Sequence, residues 1–116
     1  NDDFACHKTR FFYAGIFNTE RAFTFDGVMK YDGETGTTFE FRYGPDRHGG
    51  EAVFAPKRGG TSEDDGYLVC FAHDEAAHQS ECLIIDAQNL TAGPVATIIM
   101  PFRVPYGFHA GWVSTH

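Results

Sequence analysis

Six histidines, sixteen carboxylates and three cysteines are the side chains of this sequence that could do chemistry. His109 stands out by its setting, Pro105-Tyr106-Gly107-Phe108-His109-Ala110-Gly111-Trp112, where a turn delivers one imidazole into a short aromatic segment. An imidazole so placed can serve as a metal ligand or a catalytic group. Tyr106 and Phe108 flank it, placed to touch a substrate or to pack under the turn. The other polar clusters fit plainer readings. His73-Asp74-Glu75-Ala76-Ala77-His78 has the wrong spacing for a zinc HExxH helix and reads as a solvated turn. Glu63-Asp64-Asp65-Gly66 lacks the spacing of an EF-hand and reads as a polar turn. Glu34, Glu40 and Glu81 read as surface carboxylates, and Arg103 as one half of a surface or inter-sheet ion pair. His7 and His116 lie near the termini without an assignable partner. His48 is not assigned as a ligand.

The elements that position these groups read as short strands. Arg10–Phe17, Gly27–Tyr31 and Thr37–Arg42 are aromatic, β-branched or alternating, with Asp32-Gly33-Glu34-Thr35-Gly36 as a hairpin turn. After the break 43–50 come Glu51–Ala55, the apolar Gly66–Ala72, Ser80–Asp86 and Val95–Met100. Helical periodicity is absent, so the predicted class is all-β. A repeat runs through the list. Met29-Lys30-Tyr31-Asp32 matches Leu83-Ile84-Ile85-Asp86, and Gly49-Gly50-Glu51-Ala52-Val53-Phe54 matches Gly107-Phe108-His109-Ala110-Gly111-Trp112. Four short strands per repeat describe a β-propeller blade, whose innermost strand lines the central axis. Residues 1–50 are then an incomplete blade, 51–106 a full blade and 107–116 the start of the next. Glu51 and His109 occupy equivalent positions facing a shared axis.

Composition narrows the function classes. The chain has 116 residues, a net charge of −7 and a pI near 5.2, which argues against a nucleic-acid partner because no basic stripe is present. Cys6, Cys70 and Cys82 are odd in number and lack CxxC spacing, which fits a reducing, cytoplasmic setting. Cys70 and Cys82 sit in apolar runs and are expected to be buried. No stretch reaches the length of a membrane span, so no transmembrane segment is expected. The start at Asn1-Asp2-Asp3 without an initiator Met leads to the expectation of a segment from a longer protein.

The run from Arg47-His48-Gly49-Gly50-Glu51-Ala52-Val53-Phe54 through Glu63-Asp64-Asp65-Gly66-Tyr67-Leu68-Val69 and Ser80-Glu81-Cys82-Leu83-Ile84-Ile85-Asp86-Ala87 to Arg103-Val104-Pro105-Tyr106-Gly107-Phe108-His109 resembles the C-terminal part of carotenoid cleavage oxygenases. That family includes carotenoid, apocarotenoid and lignostilbene dioxygenases. The resemblance implies a seven-bladed propeller, of which this chain holds about one and a half four-stranded blades. It also implies one mononuclear iron(II), held on the axis by four histidines from four blades. His109 matches the last of those ligands. Glu51 matches a glutamate that hydrogen-bonds an iron-bound histidine. The other three histidines would lie upstream. The family often has Phe at 48, Pro at 52 and Gly at 110, where this chain has His48, Ala52 and Ala110.

The implied activity of the full-length protein is oxidative cleavage of a carbon–carbon double bond by O₂. The implied substrate is a hydrophobic polyene or stilbene, and peripheral membrane contact is compatible with such a substrate. The 116-residue segment alone is expected to be inactive. Two other readings remain open: a non-catalytic β-sheet module that binds a hydrophobic ligand or partner, and an isomerase on the same iron site.

Overall fold

A computed structural model describes residues 1–21 and 23–115. His116 lies outside the described residues. Among the described residues eight strands, β1 to β8, form one antiparallel sheet with two short 3-10 turns, so the all-β expectation holds. The first meander is β1 (Phe11–Phe17), β2 (Phe25–Asp32) and β3 (Thr37–Arg42). The second is β5 (Val53–Pro56), β6 (Gly66–Asp74), β7 (Gln79–Asp86) and β8 (Pro94–Ile99).

The stretch 43–50, expected to be a simple break, contains β4 (Arg47–Gly49). β4 joins the two meanders, pairing Gly49 with Phe25 of β2 and Arg47–Gly49 with Asp74–Ala72 of β6. β5 then pairs with the opposite end of β6, so β4 and β5 flank β6 on one side, interrupted at Gly50–Ala52. Glu51 sits in that interruption. The close approach there requires glycine: a Cβ on Gly49 would stand 2.8 Å from the Phe71 carbonyl oxygen, and the Gly50 amide donates to that oxygen at 3.2 Å. The broken strand thus exposes one carboxylate beside a fixed β6 backbone.

The core lies where the meanders meet. Val28, Leu68, Cys70, Leu83, Ile85 and Leu90 are buried around Tyr43. Each large apolar side chain so buried contributes roughly 1.5–3 kcal/mol relative to exposure. Cys70 and Cys82 are buried, as their apolar runs suggest, and Cys6 is exposed. Burial pushes the Cys70 thiol up to about 11, so it is not a thiolate at neutral pH.

Polar pins cross between the meanders. Lys30 on β2 is almost fully buried and donates to Asp64 at 2.7 Å and to the Ala87 carbonyl at 2.8 Å. Glu63 accepts the backbone N–H groups of Arg10 and Phe11. The Glu63–Asp65 stretch, expected to be a polar turn, therefore also anchors the start of β1 and the middle of β2. Glu81, expected at the surface, is buried and accepts from Arg47 at 3.3 Å. Among the described residues no helix is long and apolar enough to cross a membrane.

Candidate functional site

After β8 the chain leaves the sheet and turns back across it as an irregular strap, residues 101–112. The strap carries His109. Hydrogen bonds to residues of the sheet hold it in place of regular strand pairing. The Met100 amide donates to the Ser80 carbonyl and the Val104 amide to the Ser80 hydroxyl, both at 2.9 Å. The Tyr106 hydroxyl donates to Glu75 at 2.9 Å, and Arg21 donates to the same oxygen at 3.0 Å. The Tyr106 bond holds the Glu75 carboxyl below its usual range, and burial beside Glu75 pushes the Tyr106 phenol up to about 12. Phe108 meets Phe23 edge-on at 5.4 Å between ring centroids.

At the end of the strap the Ala110 amide donates to Glu51 Oε2 at 2.8 Å. His109 Nδ1 lies 3.5 Å from the same oxygen. The structure thus brings together the two residues that the sequence repeat equates. The His109 side chain is 90% exposed, and among the described contacts Nε2 has no partner. A carboxylate beside Nδ1 favours the tautomer with the proton on Nδ1 and leaves Nε2 as a lone-pair donor. Glu51 and His109 open onto a cleft of about 200 Å³, lined on its far side by Phe71, His73, Val104 and Tyr106.

The remaining histidines divide. His48 stays outside the cleft, its Nδ1 2.9 Å from Asp26 with the ring mostly buried. His73, expected in a solvated turn, sits on β6 at 2% exposure. Its Nδ1 is 2.9 Å from the Ser80 hydroxyl and its Nε2 2.7 Å from Arg103 Nη1. Arg103, expected in an ion pair, therefore takes an imidazole as its partner and lies over the Tyr106 ring. Nothing local in the sequence marks His73. It is buried because the strap covers it, and strap and strand are distant in the chain.

The donor set fits one arm of a shared metal site. His109 offers an exposed imidazole nitrogen backed by a carboxylate, the ligand chemistry common to zinc, copper and iron. Among the described residues no group of three or more His, Cys, Asp or Glu could hold a metal ion.

The family model described as RPE65, retinal pigment epithelial membrane protein, matches residues 1–114. The chain belongs to the RPE65/carotenoid cleavage oxygenase family. A carotenoid 9,10(9',10')-cleavage dioxygenase of Crocus sativus is 39% identical over 129 residues, covering 98% of this chain and 23% of the relative. An apocarotenoid-15,15'-oxygenase of Synechocystis is 39% identical over 88 residues, covering 76% of this chain and 18% of the relative. A solved variant of the Synechocystis apocarotenoid oxygenase superposes with a TM-score of 0.84 at 34% identity, over 94% of this chain and 23% of that one. A cobalt-substituted form of that oxygenase has also been solved and superposes equally well. The chain thus spans about a quarter of the length of these relatives, and its all-β sheet is part of a β-propeller.

Proposed function

We propose that this family member is the C-terminal part of an iron(II) dioxygenase that cleaves a C=C bond of a carotenoid, apocarotenoid or stilbene with O₂. The observation that carries the reading is the convergence of Glu51 and His109 on one cleft, with Nε2 of the ring left free. The family relationship supplies the polyene substrate class, since the relatives are named carotenoid and apocarotenoid oxygenases. The stilbene and the iron rest on the sequence resemblance. In the same reading residues 1–50, 51–106 and 107–116 are an incomplete blade, a full blade and the start of a third. The setting is cytoplasmic, with peripheral membrane contact where the apolar substrate is collected.

When bound, iron(II) supplies the centre at which O₂ is activated for oxidative cleavage. The chain's own residues prepare one coordination position for it. His109 provides Nε2 as a neutral donor. The Glu51 carboxylate stands 3.5 Å from Nδ1, where it favours the tautomer with the proton on that nitrogen and raises the basicity of the ring. The Ala110 amide holds Glu51 from the backbone, so the carboxylate does not drift with solvent. Phe71, Val104 and Pro105 give the cleft an apolar wall that suits a hydrocarbon substrate.

Two tests apply. The isolated segment is expected to bind no stoichiometric iron and to cleave no polyene, since one imidazole cannot retain iron(II). Metal analysis and a product assay on residues 1–116 check this, and iron-loaded turnover by the segment would overturn it. In the full-length protein Glu51→Gln is expected to weaken iron binding by roughly 10–100-fold, the usual effect of losing a ligand's hydrogen-bond partner. The thermal midpoint of the metal-free form should stay near wild type, because Glu51 lies outside the hydrophobic core cluster. Unchanged iron affinity in Glu51→Gln would remove Glu51 from the site.

A further inference from the structure

The strap that carries His109 lacks strand pairing, so its placement depends on side chains. Two of its anchors run through one buried imidazole. Arginine is always a donor. Nε2 of His73 therefore accepts from Arg103 Nη1 at 2.7 Å, and the ring proton is on Nδ1. That N–H donates to the Ser80 hydroxyl at 2.9 Å. The same hydroxyl oxygen accepts the Val104 amide at 2.9 Å, using its second lone pair. Both ring nitrogens of His73 are thus satisfied, and both lead to consecutive strap residues, Arg103 and Val104, just upstream of His109. The Tyr106 ring completes the enclosure, edge-on to His73 at 6.4 Å. A phenylalanine would fill this site on β6 as well sterically, but it could neither accept from Arg103 nor orient Ser80.

We propose that His73, acting through Arg103 and Ser80, is a positioning residue for His109, fixing the strap so that the ligand nitrogen is presented at a constant place. The inference rests on the reading of His109 as a metal ligand. Its effect is on how tightly the metal is held, with the fold left intact.

The test uses the full-length protein with His73→Phe, Arg103→Ala, the double variant, His73→Gln and His109→Ala. Three quantities are read: the rate of iron(II) loss to a chelator, the visible spectrum of the cobalt(II)-substituted protein, and the thermal midpoint. His73→Phe and Arg103→Ala should each accelerate metal loss about 10-fold, the lower end of outer-partner effects, and alter the cobalt spectrum. The double variant should lose metal no faster than His73→Phe alone, because that substitution already breaks the Arg103 link. His73→Gln keeps an acceptor for Arg103 and should recover most of the wild-type rate. Arg103 is exposed, so Arg103→Ala should leave the thermal midpoint unchanged, and it decides the matter should His73→Phe fold poorly. Wild-type metal loss and cobalt spectrum in Arg103→Ala would overturn the proposal, as would multiplicative effects in the double variant. Wild-type metal retention in His109→Ala would instead overturn the ligand reading beneath it.

Discussion

Full-length protein carrying His109→Ala is expected to lose its iron and its double-bond cleavage together. Losing a ligand removes a coordinate bond, so the loss of affinity should exceed the roughly 10–100-fold that follows loss of a ligand's hydrogen-bond partner. The same substitution should be nearly silent for the stability of the metal-free fold. His109 lies on an irregular strap and is not part of the hydrophobic core cluster, so the substitution removes no core packing, and such positions usually move stability by no more than about 0.5 kcal/mol beyond the effect of the lost metal. The contrast is what makes the experiment decisive: iron content and product formation fall while the circular dichroism holds and the thermal midpoint matches that of metal-stripped wild type. An enzyme that retains stoichiometric iron and wild-type turnover after this change would refute the ligand assignment. A variant that loses iron because it unfolds would show it in the midpoint, and His109→Gln, which keeps the strap's size and polarity without the imidazole, would then separate the two effects.

The parts of this structure that were legible in the sequence are those written in local pattern. Alternation and turn residues placed seven of the eight strands to within about two residues at each end, apart from Glu51-Ala52, which lie in the interruption and not in β5. The exception, β4, has only three residues, Arg47-His48-Gly49, and a Gly/Pro-rich approach that reads as a break; its existence depends on pairing with β2 and β6 at once. The internal repeat was enough to equate Glu51 and His109, and the structure brings them within 3.5 Å. What local pattern did not carry was the burial of charge. Lys30 shares a face with Val28 and Asp32 through strand alternation, so period two places it inward; only the distant Asp64 makes that tolerable. His73 differs: alternation puts it on the face of β6 opposite Leu68, Cys70 and Ala72, beside the exposed Phe71. Its solvent is removed by the strap at Arg103 and Tyr106, a covering that no neighbouring residue announces.

That buried lysine leads to the second large effect, this time on stability. Asp64→Ala is expected to destabilise the fold by about 3 kcal/mol, the low end of the range for breaking a buried ion pair by removing one partner. The geometry sets both the size and the limit of the effect. Lys30 is 6% and Asp64 14% exposed at the side chain, so water cannot replace the lost carboxylate cheaply. The Ala87 carbonyl at 2.8 Å and the Phe11 ring at 4.0 Å remain as partners for the ammonium group, which keeps the loss from reaching the top of the range. Replacing both charges, Lys30→Met with Asp64→Leu, should recover most of the stability, since the uncompensated charge is then gone. The pH dependence follows from the carboxylate. Burial alone would raise Asp64, but hydrogen bonds from Lys30 and Gln88 outweigh it and hold the group below its usual range. A carboxyl depressed in the folded state stabilises fully above its unfolded pKa, about 3.9, and loses that contribution as the pH falls toward the folded value. The gap between wild type and Asp64→Ala should therefore be widest near pH 7 and narrow below about pH 4. Thermal unfolding of the two proteins across that range measures it, and equal midpoints at neutral pH would show that the Lys30–Asp64 pin does not hold the two meanders together.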